Sequence, residues 1–566
     1  MRRLALAVGL LVLAGLAPAW AAPGLAEARD AVQRRDFATA LPIFRQLLDQ
    51  APGDADLLVE AARVHGFADR NAEAAAHYRQ AIAVAPRRRD GLLASLAWQT
   101  LWGGDPRAAL LLFDELAADP TRRADALDGQ GQAHMALDAP AAAVTAFRAA
   151  LALQPQSPAL QRRLARALLW ADQPEAAAAE LQALMARQPG DREAAWALAD
   201  ALNSAGLHRQ ALRTFATQPP PVTPAQRLDL ARAWYWAGYS DRALPLLAGQ
   251  DDPDAAWLRD HRVAREERSY VYAGLEHAID SDRMEAVTLV AGGGWRLGPG
   301  TTLDLRARRL SLRDASGSPT GQDLQVLYRW RIGDPAAGTG TWWPAVALRA
   351  SRLDGDTALG GLARVTWIPH DLWRVDAEWG RERINTPRAV AAGVHADSLS
   401  LGADHQATPR WLLAASAASV RFDDGNHRLR LAGRAEYLLL PRPRWTAGVE
   451  AAGFRSSDPT SAGVPDRGYW NPARYQEARA FTAWRWEHRP WDLAARLGLG
   501  ISRETDGFGN RSTGHPSQWQ LEIGLDVSPG WRAAALVAGS GSGLGLGNGG
   551  AGYWRRSVGI TLIGWL

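Results

Sequence analysis

The chain contains no cysteine, which excludes disulfides, thiolate metal ligands, a thiol nucleophile and the acylated cysteine of a lipoprotein. It contains no lysine either, so all 64 basic side chains are arginines; GC-rich coding accounts for that usage, and it points to no function. The formal charge is only +4 over 566 residues, with the arginines scattered among 60 carboxylates. No basic tract tracks a phosphate backbone, so nucleic acid is not an expected partner. After the first residues no stretch reaches the 18 or so uninterrupted apolar residues of a membrane helix, so a chain of this make-up enters a bilayer only as a closed barrel. The 12 histidines stand without metal-ligand spacing. Gly-x-Ser-x-Gly and HExxH are missing, and the glycine-rich stretch 539–552 comes after a strand-like segment instead of opening a helix. No metal or cofactor is therefore expected, and the chain reads as non-enzymatic. His427 and His515, near carboxylates, come nearest to the rim pair that an outer-membrane phospholipase or protease needs.

What is present changes period near residue 268. The first 21 residues have Arg2 and Arg3, an apolar stretch Leu4 to Leu16 and a small-residue site at Ala19-Trp20-Ala21, the pattern of a cleaved secretory signal. From Phe37 an alanine recurs at Ala40, Ala74, Ala108, Ala143, Ala177, Ala211 and Ala243. Four residues after each stands a large apolar side chain (Phe44, Tyr78, Leu112, Phe147, Leu181, Phe215, Leu247), and Pro52, Pro86, Pro120, Pro155 and Pro189 close five of the units. The small residue lets a second helix dock on the first, the large one plugs the groove, and proline ends the helix. This is the pattern of tetratricopeptide repeats, about seven of them. Trp98, Trp102, Trp170, Trp196, Trp234 and Trp236 read mainly as packing between repeats. Pro219-Pro220-Pro221 marks a break or a longer loop, and a last charged helix from Ala255 to Arg268 reads as the coupling to the strand-like half of the chain.

From Ser269 onward, segments of about 10 residues alternate in character, the length of a tilted membrane strand. Leu324, Val326, Tyr328, Trp330 and Ile332 oppose Asp323, Gln325, Arg329 and Arg331; Trp373, Val375, Ala377 and Trp379 oppose Arg374, Asp376 and Glu378. Leu429, Leu431, Ala435 and Tyr437 oppose Arg428, Arg430, Arg434 and Glu436 in the same way. Trp343, Trp373, Trp411, Trp445, Trp491 and Trp531 each sit beside a proline-bearing turn, an interfacial aromatic belt. About sixteen strands result. The long connections (313 to 321, 383 to 396, 456 to 474, 504 to 516, 540 to 551) all come after odd-numbered strands, and nearly all short ones after even-numbered strands, which puts long loops outside and the repeats in the periplasm. Residues 333 to 341 are the exception, a long turn on the short-turn side. Leu566, preceded by Trp565, stands where such barrels commonly end in an aromatic.

The expected fold is an α-solenoid of tetratricopeptide repeats followed by a transmembrane antiparallel β-barrel, with a signal peptide at 1–21, repeats over 22–268 and the barrel over 269–566. That architecture resembles the outer-membrane exopolysaccharide exporters of the poly-N-acetylglucosamine and cellulose secretion type. The octet Gly468-Tyr469-Trp470-Asn471-Pro472-Ala473-Arg474-Tyr475 looks like the Gly-aromatic-aromatic-Ser/Asn-Pro motif of that group. The resemblance implies an outer-membrane conduit for a secreted polysaccharide, with periplasmic proteins as partners of the repeats. A surface receptor or phage-adsorption barrel, and a small-solute porin, share the architecture. Candidate lumen or gate residues are Tyr469, Trp470, Asn471, Arg474 and Tyr475 of the octet, together with Arg329, Arg331, Arg374, Asp376, Glu378, Arg428, Arg430, Arg434 and Glu436. Guanidinium and carboxylate groups bond sugar hydroxyls and aromatic rings stack on sugar faces.

Overall fold

The computed structural model describes residues 24–462, 466–541, 544–550 and 552–566. The expected signal peptide lies outside them. The chain divides into two compact units at Ala201/Leu202.

The first unit is built of helical hairpins, from Leu25–Gln33 to Arg192–Ser204. Ala40, Ala74, Ala143 and Ala177 are fully buried at the helix contacts. The expected prolines fall just past helix ends at Gln50, Val84, Leu116, Leu153 and Arg187. One unit departs by a residue: Ala109 and Phe113 are the buried pair, not Ala108 and Leu112. The reason is the partner helix Arg123–Ala136, where Gly129 leaves room for the Phe113 ring; a Cβ there would lie 2.3 Å from it. The backbone carries a second repeat signal. Arg35, Asp69, Gly104, Asp138, Asp172, Gly206 and Gly238 all have φ between 54° and 89°. Each sits at a tight turn between helices, where Gly and Asp tolerate the left-handed conformation best. Trp98 packs in the repeat core against Trp102 and Phe113, at centroid distances of 5.3 and 5.0 Å, whereas Trp102 and Trp170 are more than half exposed.

In the second unit the helices run to Glu267 and strands begin at Tyr270. The strands are β1 (Tyr270–Asp280), β2 (Glu285–Gly298), β3 (Thr301–Arg313), β4 (Thr320–Arg329), β5 (Thr341–Leu353), β6 (Asp356–His370), β7 (Trp373–Arg383) and β8 (His395–Gln406). They continue as β9 (Trp411–Phe422), β10 (His427–Leu440), β11 (Arg444–Ser456), β12 (Arg474–His488) and β13 (Trp491–Thr505). β14 comes in two pieces, Arg511–Gly514 and Ser517–Ser528, that share one position beside β13; β15 is Trp531–Ser540 and β16 is Arg555–Trp565. Each strand pairs antiparallel with the next, and β16 returns to β1 in register from Tyr270↔Trp565 to Asp280↔Arg555. Closure leaves no unpaired edge among the described strands, which is what a bilayer demands of a sheet.

The outward face carries the apolar set. Leu348, Leu359, Leu497, Leu499 and Ile501 are each at least 60% exposed, a pattern that costs free energy in water and none in hydrocarbon. Trp295, Trp342, Trp373, Trp411, Trp445, Trp491 and Trp531 form an exposed ring at the short-turn end. The expected belt member Trp343 is replaced by Trp342. Because side chains alternate along a strand, Trp342 faces out and stacks on Trp367 at 5.0 Å, while Trp343 turns in to meet Gly238.

Candidate functional site

The barrel offers three places for chemistry: its short-turn mouth, its lumen and its long-loop mouth. At the short-turn mouth the helices from Leu202 onward bind the strand turns. The helix His208–Ala216 lacks a capping side chain of its own. Asp371, in the β6–β7 turn, supplies one: its carboxylate accepts from the Arg209 and Gln210 amides at 2.9 and 3.0 Å and lies 3.6 Å from the Arg209 guanidinium. A carboxylate suits that position, where free amides and the helix dipole meet. Burial lowers the Arg209 guanidinium from its ordinary value, with Asp371 opposing.

The turn 333–341, out of place by sequence parity, is a docking platform. The Tyr239 hydroxyl donates to the Gly333 carbonyl at 2.7 Å, and Arg242 pairs with Asp334 at 2.9 Å. Arg331 donates to the Gly238 carbonyl at 2.7 Å and to Asp241 at 2.8 Å, its guanidinium 3.7 Å from the Tyr239 ring centroid. The last helical stretch, Pro253 to Glu267, is fixed likewise. Arg265 donates to Asp526 at 2.6 Å and to the Ser528 and Pro529 carbonyls at 2.8 and 3.0 Å, lying over the Trp565 ring. Arg262 meets Glu487, and Arg489 meets Asp254. Arg331 is therefore a fastening of this mouth, its side chain 7% exposed, and not an open lumen group.

The lumen holds a ladder of paired charges. Glu450 bridges Arg479 and Arg496, each at 2.8 Å, and Arg479 also reaches Glu477 at 3.3 Å. Arg434 lies 3.8 Å from Glu436, Arg374 lies 2.8 Å from Asp376, and Arg364 pairs with Glu378. Arg329 stands at the short-turn end of β4, opposite Thr302. A cavity of about 290 Å³ is lined by Asp376, Asp404, Arg430, Arg434, Glu450 and Glu477 among others. A second, of about 570 Å³, lies under the long loops beside Arg430, Arg479, Asn548 and Tyr553. Such a surface bonds water or hydroxyls with both donors and acceptors.

At the long-loop mouth the described residues of three long loops, those between β7 and β8, β11 and β12, and β15 and β16, interlock with one another and with the β9–β10 turn. Tyr469, 4% exposed, stacks on Phe422 at 4.4 Å and 8°. Its hydroxyl donates to Asp424 at 2.9 Å and accepts from Asn426 at 3.1 Å. Burial, above all, raises the phenol from its ordinary value. Asn471 accepts from Asn426 at 2.9 Å and donates to the Asp458 carbonyl at 2.8 Å. The Trp470 amide donates to the Gly547 carbonyl at 3.0 Å, and its indole donates to Glu504 at 3.1 Å. Arg428, 1% exposed, donates to the Trp470 and Gly545 carbonyls at 2.8 and 3.4 Å and lies over the Phe454 ring. Arg430 donates to the Leu544 carbonyl at 3.0 Å. Thr386 donates to the Gly468 carbonyl. Gly468 has φ 77° and abuts residues 388–389, leaving no room for a Cβ.

The octet thus packs inward, with one exception. β12 begins at Arg474, so alternation sends Tyr475 in, fully buried and bonded to Glu477 at 2.8 Å, and Arg474 out, exposed opposite Arg455. Among the imagined catalytic histidines, His427 is held by Ser419 at 2.8 Å on the outer face, and no group of three metal-ligating side chains occurs among the described residues.

A closed antiparallel barrel of sixteen strands, with an outward apolar band, an aromatic ring at one end and helical repeats before it, is a barrel of the outer-membrane type. Residues 337–492 match the PgaA membrane beta barrel domain family, and residues 134–202 match a tetratricopeptide repeat family. No curated protein matches the chain. Similar solved structures include a bacterial polysaccharide outer membrane secretin, at 12% identity over 53% of this chain and 99% of that one, TM-score 0.42. A tetratricopeptide repeat protein from Parabacteroides merdae is 16% identical over 42% of this chain and 95% of its own, TM-score 0.34. The pilus biogenesis factor PilW is 18% identical over 40% and 94%, TM-score 0.28. At such scores these three carry no weight beside the strands themselves and the barrel-family match.

Proposed function

We propose that this protein is a non-enzymatic outer-membrane conduit through which a polysaccharide leaves the cell. The observation that carries the reading is the match of residues 337–492 to the PgaA barrel family, on a closed barrel whose lumen bears paired arginines and carboxylates. The repeats lie in the periplasm on this reading, where they receive the polymer or dock the proteins that make and modify it. Arg374, Asp376, Glu378, Arg430, Arg434 and Glu436 line the polymer's path and bond its hydroxyls. The octet without the outward Arg474, and with Arg428 behind it, is the gate: its rings are spent on Phe422, Phe454 and one another, so they hold the loops together and do not form a sugar platform in this arrangement.

The test is electrical. Oligosaccharides of a β-linked amino sugar or glucan, added from the short-turn side to barrels opened by Tyr469→Ala in a planar bilayer, are expected to interrupt the ion current in discrete, voltage-dependent blocks. A current that every such oligosaccharide leaves unbroken would favour a small-solute porin instead.

A further inference from the structure

The outer face of the barrel holds a cluster of arginines that neither the lumen nor the gate uses. At the long-loop end of β11, β12 and β13, Arg455, Arg474 and Arg503 all face outward and are exposed. Arg455 is directly opposite Arg474, and Arg503 is opposite Gln476, one step along from it. Like charges directly opposite in a sheet repel, and among the described residues no carboxylate lies within ion-pair reach of any of the three. The contrast is on the same outer face, in β7 and β8. Arg381 and Asp397, also at the long-loop end, neutralise one another at 2.6 Å.

Height places the cluster. Arg455 lies ten residues beyond the girdle residue Trp445 on one strand. At about 3.4 Å per residue and a tilt of about 40°, that is roughly 26 Å along the barrel axis, the height of the apolar band. The three guanidinium groups therefore sit where the hydrocarbon ends at the leaflet opposite the tryptophan ring. Immediately beside them the wall is concave. A surface cavity of about 1360 Å³ is bounded by the arginines at one end and by Leu429, Leu431 and Ile501 along its sides, over a floor including Ala451, Gly453 and Ala478. Small side chains there open a depression that fits acyl chains, directly under donors that fit phosphate.

We infer that this face binds a phosphorylated, multiply acylated lipid of the outer leaflet, its phosphate groups held by Arg455, Arg474 and Arg503 and its chains laid in the adjoining depression. Arginine forks bond phosphate bidentately and are held at the interface by their apolar stems. The inference rests on the outer-membrane reading, though not on what passes through the lumen.

Native mass spectrometry of the full chain in detergent tests it, with bisphosphorylated lipid A and its enzymatically dephosphorylated form as probes. The expected result is a defined adduct with the phosphorylated lipid, at least tenfold weaker for the dephosphorylated lipid and for the Arg455→Ala/Arg474→Ala/Arg503→Ala variant, and retained in millimolar inorganic phosphate. Equal binding of the two lipids overturns the proposal without any variant. So does undiminished binding by a triple variant that still migrates as a heat-modifiable barrel, and so does displacement by inorganic phosphate, which would mark a free-phosphate site. Outer-membrane fractionation of the triple variant is read in parallel, so that failure of the lipid site and failure of the barrel reading stay distinguishable.

Discussion

Replacing Tyr469 by alanine removes the centre of the proposed gate. The ring is 4% exposed, stacked on Phe422 at 4.4 Å, and surrounded by Ile384, Ala389, Val394 and Ala396. Deleting a buried aromatic costs about 3–5 kcal/mol, of which about 0.5–1.5 belongs to the stacked pair. The hydroxyl's bonds to Asp424 and Asn426 are lost as well, but those partners keep Arg467 at 2.7 Å and Asn471 at 2.9 Å, so that loss adds only about 1 kcal/mol. Taking about 3 kcal/mol as the part felt by the loops and not by the strand ladder, the closed-to-open ratio falls roughly 150-fold at about 1.4 kcal/mol per decade. Tyr469→Phe keeps the stack and shifts the ratio only several-fold. Purified protein in planar bilayers reads this directly, with long closed periods for the wild type, rare openings for Tyr469→Phe and frequent large openings for Tyr469→Ala. Unchanged conductance in a Tyr469→Ala chain that remains a heat-modifiable barrel would refute the gate.

Asp371→Ala removes both the helix cap and the partner of buried Arg209, at a cost of about 3–5 kcal/mol; protease cleavage between residues 202 and 267 should rise while barrel heat-modifiability persists. Burial lowers the His208 imidazole to about 4, against about 6.5 unfolded. The fold binds it neutral, so its contribution is complete above about pH 6.5 and is lost as pH falls toward about 4, by at most about 3 kcal/mol. Helix unfolding followed by circular dichroism should show that slope, and His208→Gln should flatten it. A chain beginning at Leu202, supplied with a signal peptide, should assemble as a barrel but fail to support polymer export; wild-type export by it would remove the repeats from the pathway.

Much of this architecture is legible in residue order, because two periods carry it. A step of about 34 fixes the helical hairpins and a step of 2 fixes the strand faces, so buried Phe147 and exposed Leu429 are set by position alone. The features that residue order leaves open are those that depend on a single residue of phase. Trp342 and Trp343 are adjacent and chemically identical, and only the register against Trp367 decides which faces lipid. Arg474 and Tyr475 separate for the same reason, which moves one candidate gate residue to the outer wall. The turn 333–341 is anomalous by parity because its partners, Tyr239 and Arg242, lie some ninety residues earlier. The octet stands out by composition. That its rings are consumed by Phe422 and Phe454 does not, since those contacts depend on how the loop after β11 folds back over the ends of β9 and β11.

The claim that polymer leaves through the lumen, past the three interlocked loops, is tested most directly by tying two of them together. A Cβ at Gly547 would lie 3.2 Å from the Thr386 methyl carbon, within reach of disulfide geometry, and the chain has no cysteine to interfere. In cells carrying Thr386→Cys/Gly547→Cys, surface polysaccharide should be absent while the bond is oxidised and return on reduction, with each single variant exporting normally. Wild-type export with the disulfide fully formed would contradict the account.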